Sequence, residues 1–288
     1  MQTRSNRTLL VITVVVLTAM VLSSRNNLAK RRAVSLPQET ENVQLEARIA
    51  NPPDGKIVVV TGGKVVCLDR ISKAILWESS GLRGAYSIAA LSTGGYLVGE
   101  GKSLAQIDQD GRFVSRASAS LKFTTDVKSL ADGRMLVSDG EAGTVAEMDW
   151  SGNIGWSVRG LHFPSEAVRL ESGDTLVADG TAELKEFDSK GRLVSATRLR
   201  RWAASVQKMS GGHMLVGERH LVELLDTAVH AIWSQTIASR ITGVEQLPSG
   251  EYLLSEPDAG RIVILDVMGN VDWKVTGLVY PWRAIYMQ

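Results

Sequence analysis

Asp69, Asp108, Asp149, Asp188, Asp226 and Asp266 stand 39, 41, 39, 38 and 40 residues apart. That spacing limits the possible folds more than any other property of the chain. Each aspartate ends a short apolar run and starts a turn, in "LDRISKAILW", "IDQDGRFVS", "MDWSGNIGW", "FDSKGRLVS", "LDTAVHAIW" and "LDVMGNVDW". A second phrase precedes most copies: "DGRMLVSDG" at 132, "SGDTLVADG" at 172, "GGHMLVGER" at 211 and "SGEYLLSEP" at 249. Self-similarity at a fixed period of about 40 residues marks a repeat architecture.

Within a unit the pattern is four short strands broken by Gly, Asp and Ser. In the fourth unit "EAVRL", "TLVAD", "LKEFD" and "RLVSAT" are the strands, and "ESGD" and "SKG" are turns. Short runs rich in Val and Leu between such turns are strand and hairpin signals. No segment after residue 54 sustains a 3.6-residue period. Four strands in about 40 residues predict a β-propeller blade; a linear β-solenoid uses shorter rungs. The first unit, "GKIVVVTGGKVVCLDRISKAILWE", supplies only three strands. The chain ends in "PWRAIYMQ", where Met287 falls in the column of Leu91, Leu130, Leu170, Met209 and Leu247. The expected fold is therefore all-β: a six-bladed propeller of four-stranded antiparallel blades. Its C-terminal strand closes blade one, which removes the edges an open array would leave.

The phrases G-x-x-L-V-x-D and D-x-x-G-x-x-x-W resemble the repeats of quinoprotein-like (PQQ-like) propellers. They are also similar to those of arylsulfotransferase-like and NHL-type propellers. The resemblance covers residues 54 to 288. "LDRISKAILW" comes nearest to the quinoprotein repeat D-x-x-T-G-x-x-x-W, without its Thr-Gly pair. The arylsulfotransferase resemblance implies a channel histidine that accepts a sulfuryl group, helped by further His and Arg. The quinoprotein resemblance implies a metal-ligand carboxylate and an Asn cluster, which the sequence does not offer. No cofactor is expected.

Residues 1–24 read as a separate segment. Thr8 to Ser24 holds no charge over 17 residues and follows Arg4 and Arg7, as in a signal sequence or signal-anchor at the lower limit for spanning a bilayer. Arg25, Lys30, Arg31 and Arg32 follow it, and the positive-inside rule applied literally would keep the C-terminal domain cytoplasmic. Propellers behind signal anchors are commonly exported, so the expectation is a single-pass membrane protein, held in the membrane through residues 8–24, with its propeller extracytoplasmic. Residues 25–53 are polar, lack periodicity and end in two prolines; they read as a tether. Residues 1 to 32 carry six Lys/Arg and no Asp/Glu, which leaves 26 basic and 31 acidic residues in the rest. That balance gives no basic field for nucleic acid. The lone Cys67 permits no intrachain disulfide, and four histidines without H-E-x-x-H or C-x-x-C predict no metal site.

Candidate ligand contacts come from the loops that lead into the inner strands, which sit at one channel mouth. Eight residues before the Leu/Met column stand Arg83, Lys122, His162, Arg201, Ser239 and Val279. Seven before it stand Gly84, Phe123, Phe163, Trp202, Arg240 and Tyr280; four before it stand Ser87, Asp126, Glu166, Ser205, Gly243 and Arg283. Arg83, Lys122, His162, Arg201, Trp202, Arg240 and Arg283 form a partly cationic, aromatic-rimmed set. Arginine offers forked donors to a carboxylate, sulfate or phosphate, and the rings offer stacking surface. The alternative is that the rings wedge between blades and the cations are solvated or paired. The acids Glu100, Asp139, Asp179, Glu218 and Glu256 recur after the second strand; one per blade suggests loop capping through backbone N–H groups rather than a cation site. The Asp of the 40-residue phrase reads as a turn-former. Trp77, Trp156, Trp233 and Trp273 read as packing residues between blades.

The expected function is a membrane-tethered binding or scaffold module for a protein, glycan or small anionic ligand at the channel mouth. The alternative is an extracytoplasmic arylsulfotransferase-like or lactonase-like enzyme with His162 as its catalytic residue. One histidine without partners makes a poor nucleophile constellation.

Overall fold

The computed structural model describes residues 55–288. The expectations for residues 1–24 and 25–53 lie outside the described residues. Among the described residues no helix is long and apolar enough to cross a membrane.

The strands form six four-stranded antiparallel sheets. Blade 1 combines Arg283–Met287, Lys56–Thr61, Lys64–Asp69 and Ile75–Glu78, in that order from the inside out. The C-terminal strand thus closes the ring, with Lys56 opposite Met287 and Val60 opposite Arg283. The other inner strands are Ser87–Ala90 in blade 2, Thr124–Ser129 in blade 3, Glu166–Arg169 in blade 4, Ala203–Lys208 in blade 5 and Gly243–Gln246 in blade 6.

The strand period of two explains why the blades stick together. Successive side chains leave a strand on opposite faces, so each sheet feeds two interfaces. Ile57 and Val59 pack with Leu253, Ile262 and Ile264 of blade 6, whereas Val58 and Val60 pack with Ile88, Val98 and Ile107 of blade 2. Six such clusters occur, one between each pair of neighbours. Cys67 is fully buried in the cluster between blades 1 and 2, and burial pushes its thiol pKa up.

The tryptophans complete these interfaces. Trp77 meets Tyr96 of blade 2 at 5.7 Å, and Trp233 stacks on Tyr252 of blade 6 at 4.9 Å. The Trp156 indole donates to the Asp188 carbonyl of blade 4 at 3.1 Å, and the Trp273 indole to the Arg70 carbonyl of blade 1 at 2.6 Å. The recurring aspartates hold turns: Asp188 Oδ1 accepts from the N–H groups of Lys190 and Arg192, and Asp226 Oδ1 from Ala228 and His230.

Candidate functional site

The ring has two faces. On the entry face, each blade's outer strand leads into the next blade's inner strand. On the turn face, tight turns join each inner strand to its neighbour.

On the entry face the two recurring columns prove to be one device. Asp139 accepts the backbone N–H groups of Lys122 and Phe123 at 2.7 and 3.0 Å. Glu100 accepts that of Arg83 at 2.7 Å, Asp179 that of His162 at 3.2 Å and Glu218 that of Arg201 at 3.4 Å. Each acid therefore fixes the loop that carries its blade's cationic residue. Cations pair with two of these four acids, Arg116 with Glu100 and Lys185 with Asp179, and Arg261 pairs with Glu256, the fifth acid of the column. Among the described residues no group of three His, Cys, Asp or Glu is arranged to hold a metal ion.

The side chains of Arg83, Lys122, His162 and Arg201 are exposed. Within the described residues none of the four makes a side-chain hydrogen bond or an ion pair. Their backbones are fixed and their heads are free. Beside them runs an arc of rings. Tyr280 stacks on Trp282 at 5.6 Å, and Trp282 meets Tyr86 edge-on at 6.4 Å. Tyr86 meets Phe123 edge-on at 5.0 Å, and Phe123 stacks on Phe163 at 6.3 Å. Tyr86, Phe163 and Tyr280 are 36–46% exposed, and Trp282 and Phe123 are partly exposed. Phe163 and Tyr280 hold φ of 50° and 53°, a left-handed conformation that costs a bulky residue energy and needs support from its surroundings. Arg240 belongs to the arc. Its guanidinium lies 5.5 and 5.7 Å from the Tyr280 and Trp282 ring centres, forks onto Asp258 at 3.0 and 3.1 Å, and donates to the Tyr280 hydroxyl. Trp202 is half-buried and makes no ring contact with the arc among the described residues.

Arg283 is placed differently from the other six. It starts the inner strand of blade 1 and spans the axis. Its guanidinium reaches Asp126 of blade 3 at 3.2 Å, Glu166 of the opposite blade 4 at 3.0 Å, and Ser205 Oγ of blade 5 at 3.0 Å. Lys128 of blade 3 joins the cluster through Glu166 and Asp126. Arg283, Asp126, Glu166 and Ser205 are all buried. Burial opposes ionisation of Glu166, but Arg283 and Lys128 outweigh it and hold the carboxyl at about 2. A glycine at 243 leaves the passage open: a Cβ there would stand 3.1 Å from Arg283 Cδ.

The same column satisfies the channel edge. An innermost strand has no sheet partner on its axial side, so its donors need others. Ser87 Oγ accepts from Val127 N at 3.0 Å, Glu166 Oε2 from Val206 N at 3.0 Å and Ser205 Oγ from Val244 N at 3.2 Å. In each case the acceptor lies one blade before the donor.

Between this plug and the turn face the channel opens into a cavity of about 380 Å³. Apolar residues such as Ile88, Val168 and Ile285 line it together with Lys128, Gln207, Lys208 and Glu245. Sequence reasoning missed Lys128, Lys208 and Glu245. The available signal was the charges within the otherwise strand-like runs "TTDVKS", "AASVQK" and "GVEQ".

No protein-family model matches the chain, and no curated protein does. Solved structures match its fold. A protein of unknown function from Bacteroides caccae superposes with a TM-score of 0.69 at 19% identity, covering 82% of this chain and all of that one. The WD40 β-propeller domain of Doa1 gives 0.61 at 13% identity, covering 81% of this chain and 83% of that one. Streptogramin B lyase gives 0.54 at 12% identity, covering 69% of this chain and 70% of that one. Likenesses at these identities establish the propeller fold and carry no activity with them.

Proposed function

We propose that this propeller is a binding module whose entry face takes an anionic partner, with the ring arc as its contact platform. One observation carries the reading: a partly exposed arc of five rings, from Tyr280 to Phe163, lies beside the loops of four unpaired cationic or ionisable heads, Arg83, Lys122, His162 and Arg201. Rings supply contact area at low entropic cost, and arginine is favoured at binding hot spots. The acid caps and the buried plug hold that surface on a rigid ring, which limits the ordering cost of association. The partner class that fits is a protein segment or glycan bearing carboxylate or sulfate groups; a small anion would use only part of the arc. Tethering by residues 8–24 at an extracytoplasmic membrane surface remains part of the proposal, supported by the sequence pattern alone.

Binding is favoured over catalysis because the His162 imidazole has no hydrogen-bond partner among the described residues to orient it. The test is a panel of acidic peptides and sulfated or carboxylated glycans offered to the full chain. Binders should be lost in the Arg83→Ala, Lys122→Ala, Arg201→Ala triple variant and weakened at least tenfold by Phe123→Ala. If no anionic probe binds, or if binding survives both variants, the proposal fails.

A further inference from the structure

The turn-face cavity lies on the far side of the plug from the entry face, and its charges sort into two groups. Asp126, Glu166, Lys128 and Arg283 neutralise one another in ion pairs. Glu245 and Lys208 do not take part. Glu245, on blade 6, has no cation within ion-pair distance; its one hydrogen bond is from the Tyr286 N–H at 3.3 Å. Lys208, at the turn-face end of the neighbouring blade 5 strand, is exposed and makes no ion pair among the described residues. Gln207, the residue before Lys208 and so on the other face of that strand, turns to blade 6 and spends its Oε1 on the Gln246 N–H at 2.7 Å. Much of the remaining wall is aliphatic, and about 380 Å³ is room for a small molecule.

We propose that this cavity is a site for a small zwitterion, an ammonium and a carboxylate on a short apolar body as in an α-amino acid, with the ammonium on Glu245 and the carboxylate on Lys208. The ligand supplies each unpaired charge with its opposite and lays its apolar part on Ile88, Val168 and Ile285. A carboxylate without an ion-pair partner beside a largely aliphatic wall is disfavoured as an ion. Burial raises the Glu245 carboxyl to about 7, although the Tyr286 N–H, Lys128 and Arg283 pull the other way and Glu166 adds to the rise. Lys128 and Arg283 stay cationic and Glu166 stays anionic between pH 6 and 8, and blade 2 contributes only Ile88, Ala89 and Ala90 to this wall. Asp126, which pairs with Lys128 and Arg283 but is not among the residues lining the cavity, also has its carboxyl pushed up by burial. Of the two carboxylates on the wall itself, Glu166 and Glu245, Glu245 is the one that titrates in this window, and ammonium binding displaces its proton.

Titration calorimetry of the full chain in detergent, with three matched probes, tests the assignment. L-Leucine carries both charges, 3-methylbutylamine only the ammonium, and 4-methylpentanoate only the carboxylate. Leucine is expected to bind most tightly and the carboxylate least. Leucine affinity should rise about tenfold from pH 6 to pH 8, as the ionised fraction of Glu245 rises. Glu245→Gln should weaken leucine and the amine at least tenfold and flatten the pH dependence. Lys208→Gln should bring leucine down to the amine's affinity and leave the amine unchanged. Lys208 is exposed, so that variant keeps the test open if Glu245→Gln does not fold. The assignment is overturned if leucine does not saturate by roughly 10 mM, the weak side of a ~1 mM site. It is equally overturned if the amine binds as well as leucine, or if neither variant changes leucine binding.

Discussion

Arg283 and Glu166 sit on opposite blades, yet the guanidinium of one lies 3.0 Å from the carboxylate of the other. The innermost C-terminal strand that closes the ring is therefore also bolted across its axis. A buried ion pair adds little over an apolar pair of the same shape, but losing one partner leaves a buried charge uncompensated. Arg283→Met leaves Lys128 as the one cation against the two buried carboxylates Asp126 and Glu166 and is expected to cost about 3–5 kcal/mol in denaturant unfolding. A loss under about 1 kcal/mol would mean that the cluster does not hold the ring.

Gly243 is the gap through which Arg283 passes. Gly243→Ala puts a methyl group 3.1 Å from Cδ and 3.4 Å from Nη1 of a side chain pinned at its far end. The expected cost is about 1–3 kcal/mol, the range for overpacking. The Arg283→Met background should lower that cost, which a double-mutant cycle can read.

Glu245 makes stability depend on pH in a definite direction. Its folded pKa of about 7 lies above the ordinary value of 4.5. The group is protonated in both states well below pH 4.5, so it has no effect there. As pH rises from 4.5 through 7 the unfolded chain ionises freely while the folded chain resists, and stability is lost. Glu245→Gln should match wild type at pH 4 and exceed it at pH 8 by on the order of 1–3 kcal/mol. Parallel stability curves from pH 4 to 8 would contradict this.

The acid column gives opposite outcomes at equivalent positions. Glu100 takes a two-pronged bond from Arg116 at 2.7 and 2.9 Å as well as the Arg83 N–H. Glu218 makes no ion pair among the described residues and its Oε2 is buried without a partner; burial, with the nearby Glu223, raises its pKa against the Arg201 N–H and the charges of Arg201 and Arg200. Glu100→Gln should cost about 1.5–3 kcal/mol, the range for a hydrogen bond to a charged group. Glu218→Gln should lie within about 1 kcal/mol of wild type, on the stabilising side. Thermal melts of the two variants at pH 7 decide it.

What the sequence made legible follows from what repeats. The aspartate turns, the tryptophan seams and the acid caps recur from blade to blade, so alignment exposes them, and the closing strand shows as the inner strand that the first unit lacks. Asp188 and Asp226 hold identical turns, and Trp156 and Trp273 cross to the next blade in the same way. The plug does the reverse. Ser87, Asp126, Glu166, Ser205, Gly243 and Arg283 share one column, and their value lies in being different, because an arginine at the axis needs carboxylates across from it and a gap beside it. Such complementarity links residues 157 positions apart and leaves no period to detect. Arg283 accordingly looked like the entry-face cations and sits instead among buried partners. The ring arc is intermediate: Phe123, Phe163 and Tyr280 share a column, whereas Tyr86 and Trp282 come from another and join only through the curvature of the ring.

Hydrogen–deuterium exchange with and without a saturating anionic peptide or glycan tests the binding-face assignment most directly. The account predicts protection at residues 83–86, 122–124, 162–164, 200–202 and 280–282, with the outer strands and the turn-face ends of the inner strands unchanged. Protection confined to the outer strands or to the turn face would contradict it.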